Sequence, residues 1–147
     1  MTDYETADRL TRRRARIFPL LAAMFVVQQA TFFVGRIEDG TRTVDQVKIS
    51  AWLVLSIVLL LVLATGGSWF KSAKVRALMN DDVTRANRAE AFRVGFLATM
   101  IGAIGLYFVS MFENFGGRDA IHILMTIGIA AALLRFGFLE RQALRDG

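Results

Sequence analysis

Four long stretches without a charged residue constrain this chain more than any other feature. Residues 17–35 and 94–112 each hold 19 uncharged positions, and residues 49–70 hold 22. Residues 120–134 hold 15 before Arg135 interrupts an apolar continuation to Leu139. An α-helix rises about 1.5 Å per residue, so 19 residues reach roughly 28 Å, close to the ~30 Å hydrocarbon thickness of a bilayer. A water-soluble helix needs a polar stripe, and between Ala51 and Leu63 only Ser56 is polar. The runs therefore predict an all-α membrane protein of four transmembrane helices, at about 17–35, 49–70, 94–112 and 120–139. Short connections make it an antiparallel up-down bundle, with a basic segment at 1–16 and a loop or helix at 71–93. Arg135 is expected to extend its stem toward the headgroups.

A length of 147 residues allows a single domain, and the absence of cysteine excludes disulfide scaffolds, thiolate metal sites and thiol catalysis. The 18 basic residues are unevenly placed. Fourteen fall in the N-terminal segment, residues 71–93 and the tail, and four fall in the two remaining connections. By the positive-inside rule both termini and the central loop are cytoplasmic, in a bacterial inner membrane. The basic balance is thus a topology signal, and nucleic-acid binding is not expected. Arg12-Arg13-Arg14-Ala15-Arg16 before an apolar run imitates a signal peptide, but the run is long enough to span and no small-x-small site precedes Arg36. It is read as a retained first span. Arg12, Arg13, Arg14 and Arg16 are expected to attract anionic lipid, at about 1 kcal/mol each near the surface.

Membrane helices associate where small residues let backbones approach. Gly95, Ala98, Gly102 and Gly105 recur at helical spacing on one face of the third span, and Gly128 and Ala132 form a small-xxx-small pair in the fourth. These are the expected packing faces of the third and fourth spans. The second span's Leu/Val surface is expected to face lipid or a second copy of the chain. Gln28 and Gln29 are adjacent amides in hydrocarbon, so at least one should bond to another helix. His122 is the only histidine. With no second nitrogen ligand and no thiolate, no metal or haem site is expected, and no cofactor. Neither a phosphate loop, nor paired catalytic carboxylates, nor a Ser/His/Asp set is present, so the chain is not read as an enzyme.

The polar stretch before the third span is richer. Asn80 can cap a helix that opens with Asp81 and Asp82, where the dipole favours anions. Asp81 and Asp82 stand four and three residues before Arg85, within ion-pair reach, and Asn87 and Arg88 follow. Asn80, Asp81, Asp82, Arg85, Asn87 and Arg88 thus form a cytoplasmic collar, read as a docking surface for a protein partner. The stretch Asn80-Asp81-Asp82-Val83-Thr84-Arg85-Ala86-Asn87-Arg88 resembles the inter-span loop of small uncharacterised four-span bacterial membrane proteins, some associated with helix-turn-helix repressors. The resemblance, over roughly residues 79–112, implies a regulatory role: binding or sequestering a transcription repressor. The small multidrug transporters share the size and span count, but they need an acidic residue in the first span and residues 17–35 have none. A second reading is a small oligomeric transporter or channel whose path is lined by Gln28, Gln29, Thr31, Thr99 and Ser110. The expected partners are membrane lipids and a cytoplasmic protein, with a homo-oligomer left open.

Overall fold

The computed structural model describes residues 3–35, 42–67, 82–113 and 116–146. Their secondary structure is four α-helices: α1 (Asp3–Gly35), α2 (Arg42–Thr65), α3 (Asp82–Ser110) and α4 (Gly117–Asp146). Each helix outruns its uncharged stretch because the backbone ladder continues wherever charged side chains can reach water. α1 begins 14 residues before its apolar run and α3 begins 12 before, so the basic segment and the collar are helical extensions of the spans they precede. α2 stops at Thr65 rather than at 70. Gly66 and Gly67 adopt φ of 63° and 71°. The Gly67 amide donates to Val62 O at 2.9 Å and the Gly66 amide to Leu63 O at 3.3 Å. That is a Schellman cap, and the left-handed backbone suits glycine. Residues 68–70 and 71–81, with Asn80 and Asp81 among them, lie outside the described residues.

Polar contacts at the two ends establish the helix directions. Arg14, Gly66, Thr84 and Glu140 meet at one end, and Gln29, Trp52 and His122 meet at the other. The chain therefore alternates direction at each connection, as an up-down bundle does. α4 is the shared helix. α1 and α3 pack along its length, and α2 touches it over a shorter stretch. The core is built from Phe18, Ala22 and Phe25 of α1, Trp52, Leu59 and Leu63 of α2, and Ile129, Leu133 and Phe136 of α4. Phe18 and Phe136 meet edge to face at 4.8 Å. Beside them Pro19 sits against Gly137, where an added Cβ would lie 2.5 Å from the proline ring.

Three helices are long and apolar enough to cross a membrane: Val47–Thr65 within α2, all of α3, and Gly117–Arg145 of α4. In α1 the described side chains end at Ala30. Leu53, Val54, Ile57, Val58, Leu60 and Leu61 of α2 are exposed, as are Phe96, Leu97, Met100, Ile101 and Ile104 of α3. Such surfaces belong in lipid and not in water.

The expected glycine contact between α3 and α4 forms in part. A Cβ at Gly95 would stand 2.8 Å from both Ala132 Cβ and Gly128 O, and one at Gly102 would stand 3.1 Å from Ile127. Gly128 lies against the Thr99 side chain. Ala132 is buried and Ala98 is half-buried. Gly105 departs from the expectation: among the described residues nothing lies within 4 Å of its would-be Cβ. Arg135 departs too. Instead of reaching for headgroups it turns across to Glu90 Oε1 at 3.5 Å, joining α4 to α3.

Gly95→Val should therefore force the two backbones apart and destabilise the bundle by about 1–3 kcal/mol, as overpacking does. Gly105→Val should stay within about 0.5 kcal/mol of the parent, because its side chain enters open space. Unfolding in mixed detergent micelles measures both.

Candidate functional site: two buried polar clusters

Two polar clusters lie inside the bundle, one at each end. The larger is centred on Arg14. Helical phase selects this arginine from its basic neighbours, because Arg14 stands four residues before Phe18 on the stripe that continues through Ala22, Phe25 and Gln29. The stripe buries Arg14 to 5% exposure. On α4 the buried stripe runs His122, Thr126, Ile129, Leu133, Phe136, Glu140, and its last member is 2% exposed. Arg14 Nη2 and Glu140 Oε2 form an ion pair between these stripes.

The pair is supported on several sides. Arg14 Nη2 also donates to Thr84 Oγ1 at 3.0 Å, and Nη1 donates to Gly66 O at 3.4 Å beyond the end of α2. Asn87 Nδ2 donates to the second carboxylate oxygen of Glu140 at 3.2 Å. The guanidinium lies 5.5 Å above the Phe136 ring, a cation–π distance. Nearby, Arg88 Nη1 donates to Ala64 O at 2.8 Å, and Arg141 Nε donates to Ala15 O at 3.0 Å. Cations at the carbonyl end of α2 are placed where its dipole is negative. The cluster thus ties all four helices together at one level.

This placement divides the predicted sites. Arg12, Arg13 and Arg16 are exposed, with Arg12 paired to Asp8 at 3.1 Å. Arg14 corrects the lipid expectation, since its charge is spent inside the bundle on Glu140 and is withheld from headgroups. The collar splits as well. Asp82 and Arg85 form the expected ion pair on the exposed side of α3. Asn87 and Arg88 have other partners: Asn87, about 200° around the helix from Arg85, meets the buried Glu140, and Arg88, one turn on from Arg85, reaches Ala64 O at the carbonyl end of α2.

The second cluster lies at the other end. His122 Nε2 donates to Gln29 Oε1 at 2.9 Å, so of the two glutamines Gln29 makes the expected bond to another helix, while Gln28 lies on the exposed side. The Trp52 ring stacks on His122 with centroids 3.7 Å apart and planes 18° apart. Thr126 Oγ1 donates back to His122 O at 2.8 Å. Ser56 lies one turn further in on α2, fully buried. Gln29 Nε2, Trp52 Nε1 and Ser56 Oγ have no hydrogen-bond acceptor among the described residues. These three buried donors gather on one stretch of the interior wall, and among the described residues the cluster pairs no nucleophile with a base. Among the described residues no group of three or more His, Asp and Glu is placed to hold a metal ion.

Glu140, Thr84, Trp52 and Ser56 were missed in the sequence. A signal was present: each sits at the end or in the middle of a seven-residue apolar stripe, such as Trp52, Ser56, Leu59, Leu63 on α2. A polar residue in phase with a buried stripe must find a partner there.

Glu140→Ala should leave Arg14 buried without its counter-charge and cost about 3–5 kcal/mol. The double change Arg14→Met with Glu140→Leu should recover much of that loss, since it removes both charges at similar volume. Chemical unfolding in micelles of the two variants beside the parent decides it.

Comparison with family models, with curated proteins and with solved structures yields no match, so the functional reading rests on the chain's own geometry.

Proposed function

We propose that the chain is a non-enzymatic membrane protein of the bacterial inner membrane with four spans, both termini in the cytoplasm, and a binding function. In this reading its cytoplasmic face holds a soluble protein at the membrane, and a transcription repressor is the partner that the collar's resemblance suggests. The observation that carries the reading is the lock beneath that face. Arg14, Gly66, Thr84, Asn87 and Glu140 join all four helices directly behind the exposed Asp82–Arg85 pair. A rim on rigid, cross-tied helices loses little freedom when a partner docks, which favours specific association. A loop that served only to set topology would need no such lock.

The distribution of basic residues supports this orientation, and the spacing of the two clusters supports four spans. Arg14 and Gln29 are 15 residues apart on α1, roughly 22 Å, and His122 and Glu140 are 18 apart on α4, roughly 27 Å. Both separations approach the ~30 Å hydrocarbon core, so each polar layer falls near one interface. The transporter reading has less support. Within one copy of the chain Gln28 and Ser110 lie on exposed sides, away from the buried Gln29, Thr99 Oγ1 is bonded to Gly95 O at 2.9 Å, and the Thr31 side chain lies outside the described residues.

The chain lacks cysteine, so single introduced cysteines report orientation cleanly. A membrane-impermeant maleimide should label Gly117→Cys in intact spheroplasts and label Gln142→Cys only after permeabilisation. The reverse pattern would reject the orientation. For the partner, Arg85→Glu should abolish recovery of a crosslinked cytoplasmic protein in mild detergent, while Arg118→Glu retains it and insertion is unchanged. Recovery that is indifferent to Arg85→Glu would sink the collar as docking surface. Arg88 is the wrong position for this test, because its bond to Ala64 O holds α2 against α3.

A further inference from the structure

We infer that the cleft between the cytoplasmic ends of α1 and α4 is a headgroup site for an anionic phospholipid. The cleft encloses about 890 Å³, and Arg12 and Arg16 line it from α1 while Arg141 and Arg145 line it from α4. Each pair is spaced i,i+4, so both of its members stand on one helix face. The bond from Arg141 Nε to Ala15 O holds the two helices in register there. Among the described residues no acidic side chain lines the cleft. Arg16 and Arg145 make no ion pair among the described residues, and the one pair made by Arg12, to Asp8, is exposed. Four guanidinium groups around one space repel each other until an anion enters.

Depth and shape point to lipid. Arg16 is the last charge before the apolar run of α1, and Phe138 stands at the apolar end of α4. Phe138 also lines the cleft and is 60% exposed, so the cavity passes from a charged floor to an apolar lip at the height of the membrane surface. A phospholipid has this same order, a phosphodiester followed by glycerol and acyl chains. Guanidinium groups bind phosphate oxygens bidentately, and basic pockets between membrane helices suit anionic headgroups. With two arginines from each helix, a headgroup bearing two phosphates fits best, and cardiolipin is the natural probe. The Arg14–Glu140 pair and the Arg141–Ala15 bond bring the ends of α1 and α4 together; the inference depends on that end facing the cytoplasm, which the maleimide labelling of α4 tests independently of any lipid.

The full-length protein in mild detergent is titrated with cardiolipin, phosphatidylglycerol and phosphatidylcholine, and adducts are read by native mass spectrometry. Cardiolipin should bind at the lowest concentration and phosphatidylcholine should not be retained. Arg16→Ala with Arg145→Ala should weaken cardiolipin retention at least about tenfold. Arg12→Gln alone should weaken it less. Arg85→Ala with Arg93→Ala removes equal charge elsewhere and should leave retention unchanged. The inference is overturned if phosphatidylcholine binds as well as cardiolipin, if the Arg16/Arg145 variant binds like the parent, or if the Arg85/Arg93 variant loses as much. Full displacement by millimolar inorganic phosphate, or by an acidic peptide, would reassign the cleft to a soluble anion and equally reject a lipid site.

Discussion

A charge buried in a helical bundle must be met by its opposite or the bundle does not form, and the Arg14–Glu140 pair imposes that condition here. Desolvating two ions costs several kcal/mol, offset only when the remaining donors and acceptors are also engaged. Thr84, Gly66 and Asn87 supply much of that set. Meeting their geometry leaves little freedom. α1 must rotate until Arg14 faces inward, α4 must bring Glu140 to the same depth, and α2 must end with its carbonyls beside the guanidinium. α3 must begin close enough for Thr84 to accept.

This dependence matters more in lipid than it would in water. Between helices in hydrocarbon there is no hydrophobic force to hold apolar surfaces together, so close backbone approach and polar contacts set the arrangement. The chain uses both. Gly95 against Ala132 and Gly128 brings α3 onto α4, and Gly137 against Pro19 brings α1 onto α4. The polar contacts lie at the two ends, with Arg14 and Glu140 at one and Gln29, Trp52 and His122 at the other. Between them the interior is Phe18, Phe25, Leu59, Leu63, Leu133 and Phe136, an apolar layer bracketed by polar ones. α4 supplies a residue to every level, which explains why it is the most deeply buried of the three apolar spans.

The elements were legible in the sequence because hydrophobic length is a local property. Uncharged runs located the helices, and the spacing of Gly95 and Gly102 marked a packing face, while the end of α2 at Gly66-Gly67 lay inside an uncharged run that continues to residue 70. The candidate sites were less legible. Reading 80–88 as one collar joined residues with different partners: Arg85 pairs outward with Asp82, Asn87, about 200° away around the helix, meets the buried Glu140, and Arg88 reaches the carbonyl end of α2. Reading the arginines of 12–16 as one lipid-facing group made the same error for Arg14. Gly105 shows the opposite case, a residue in phase with its stripe that meets no neighbour among the described residues. Arg135 was assigned to the headgroups because Glu90, its partner, is 45 residues away in the chain.

What the sequence alone determined is the material of the fold: four long helices, three of them apolar enough to cross a membrane, their order, and the charge asymmetry between connections. Those follow from composition within a window of about 20 residues, enough to cross a bilayer. Tertiary structure alone decided which charges are interior. Whether an arginine belongs to a lock, a rim or a cleft depends on the rotation of its helix against three others. Arg14 and Arg16 are two positions apart, about 200° around the helix, and so one meets Glu140 while the other lines the cleft with Arg145.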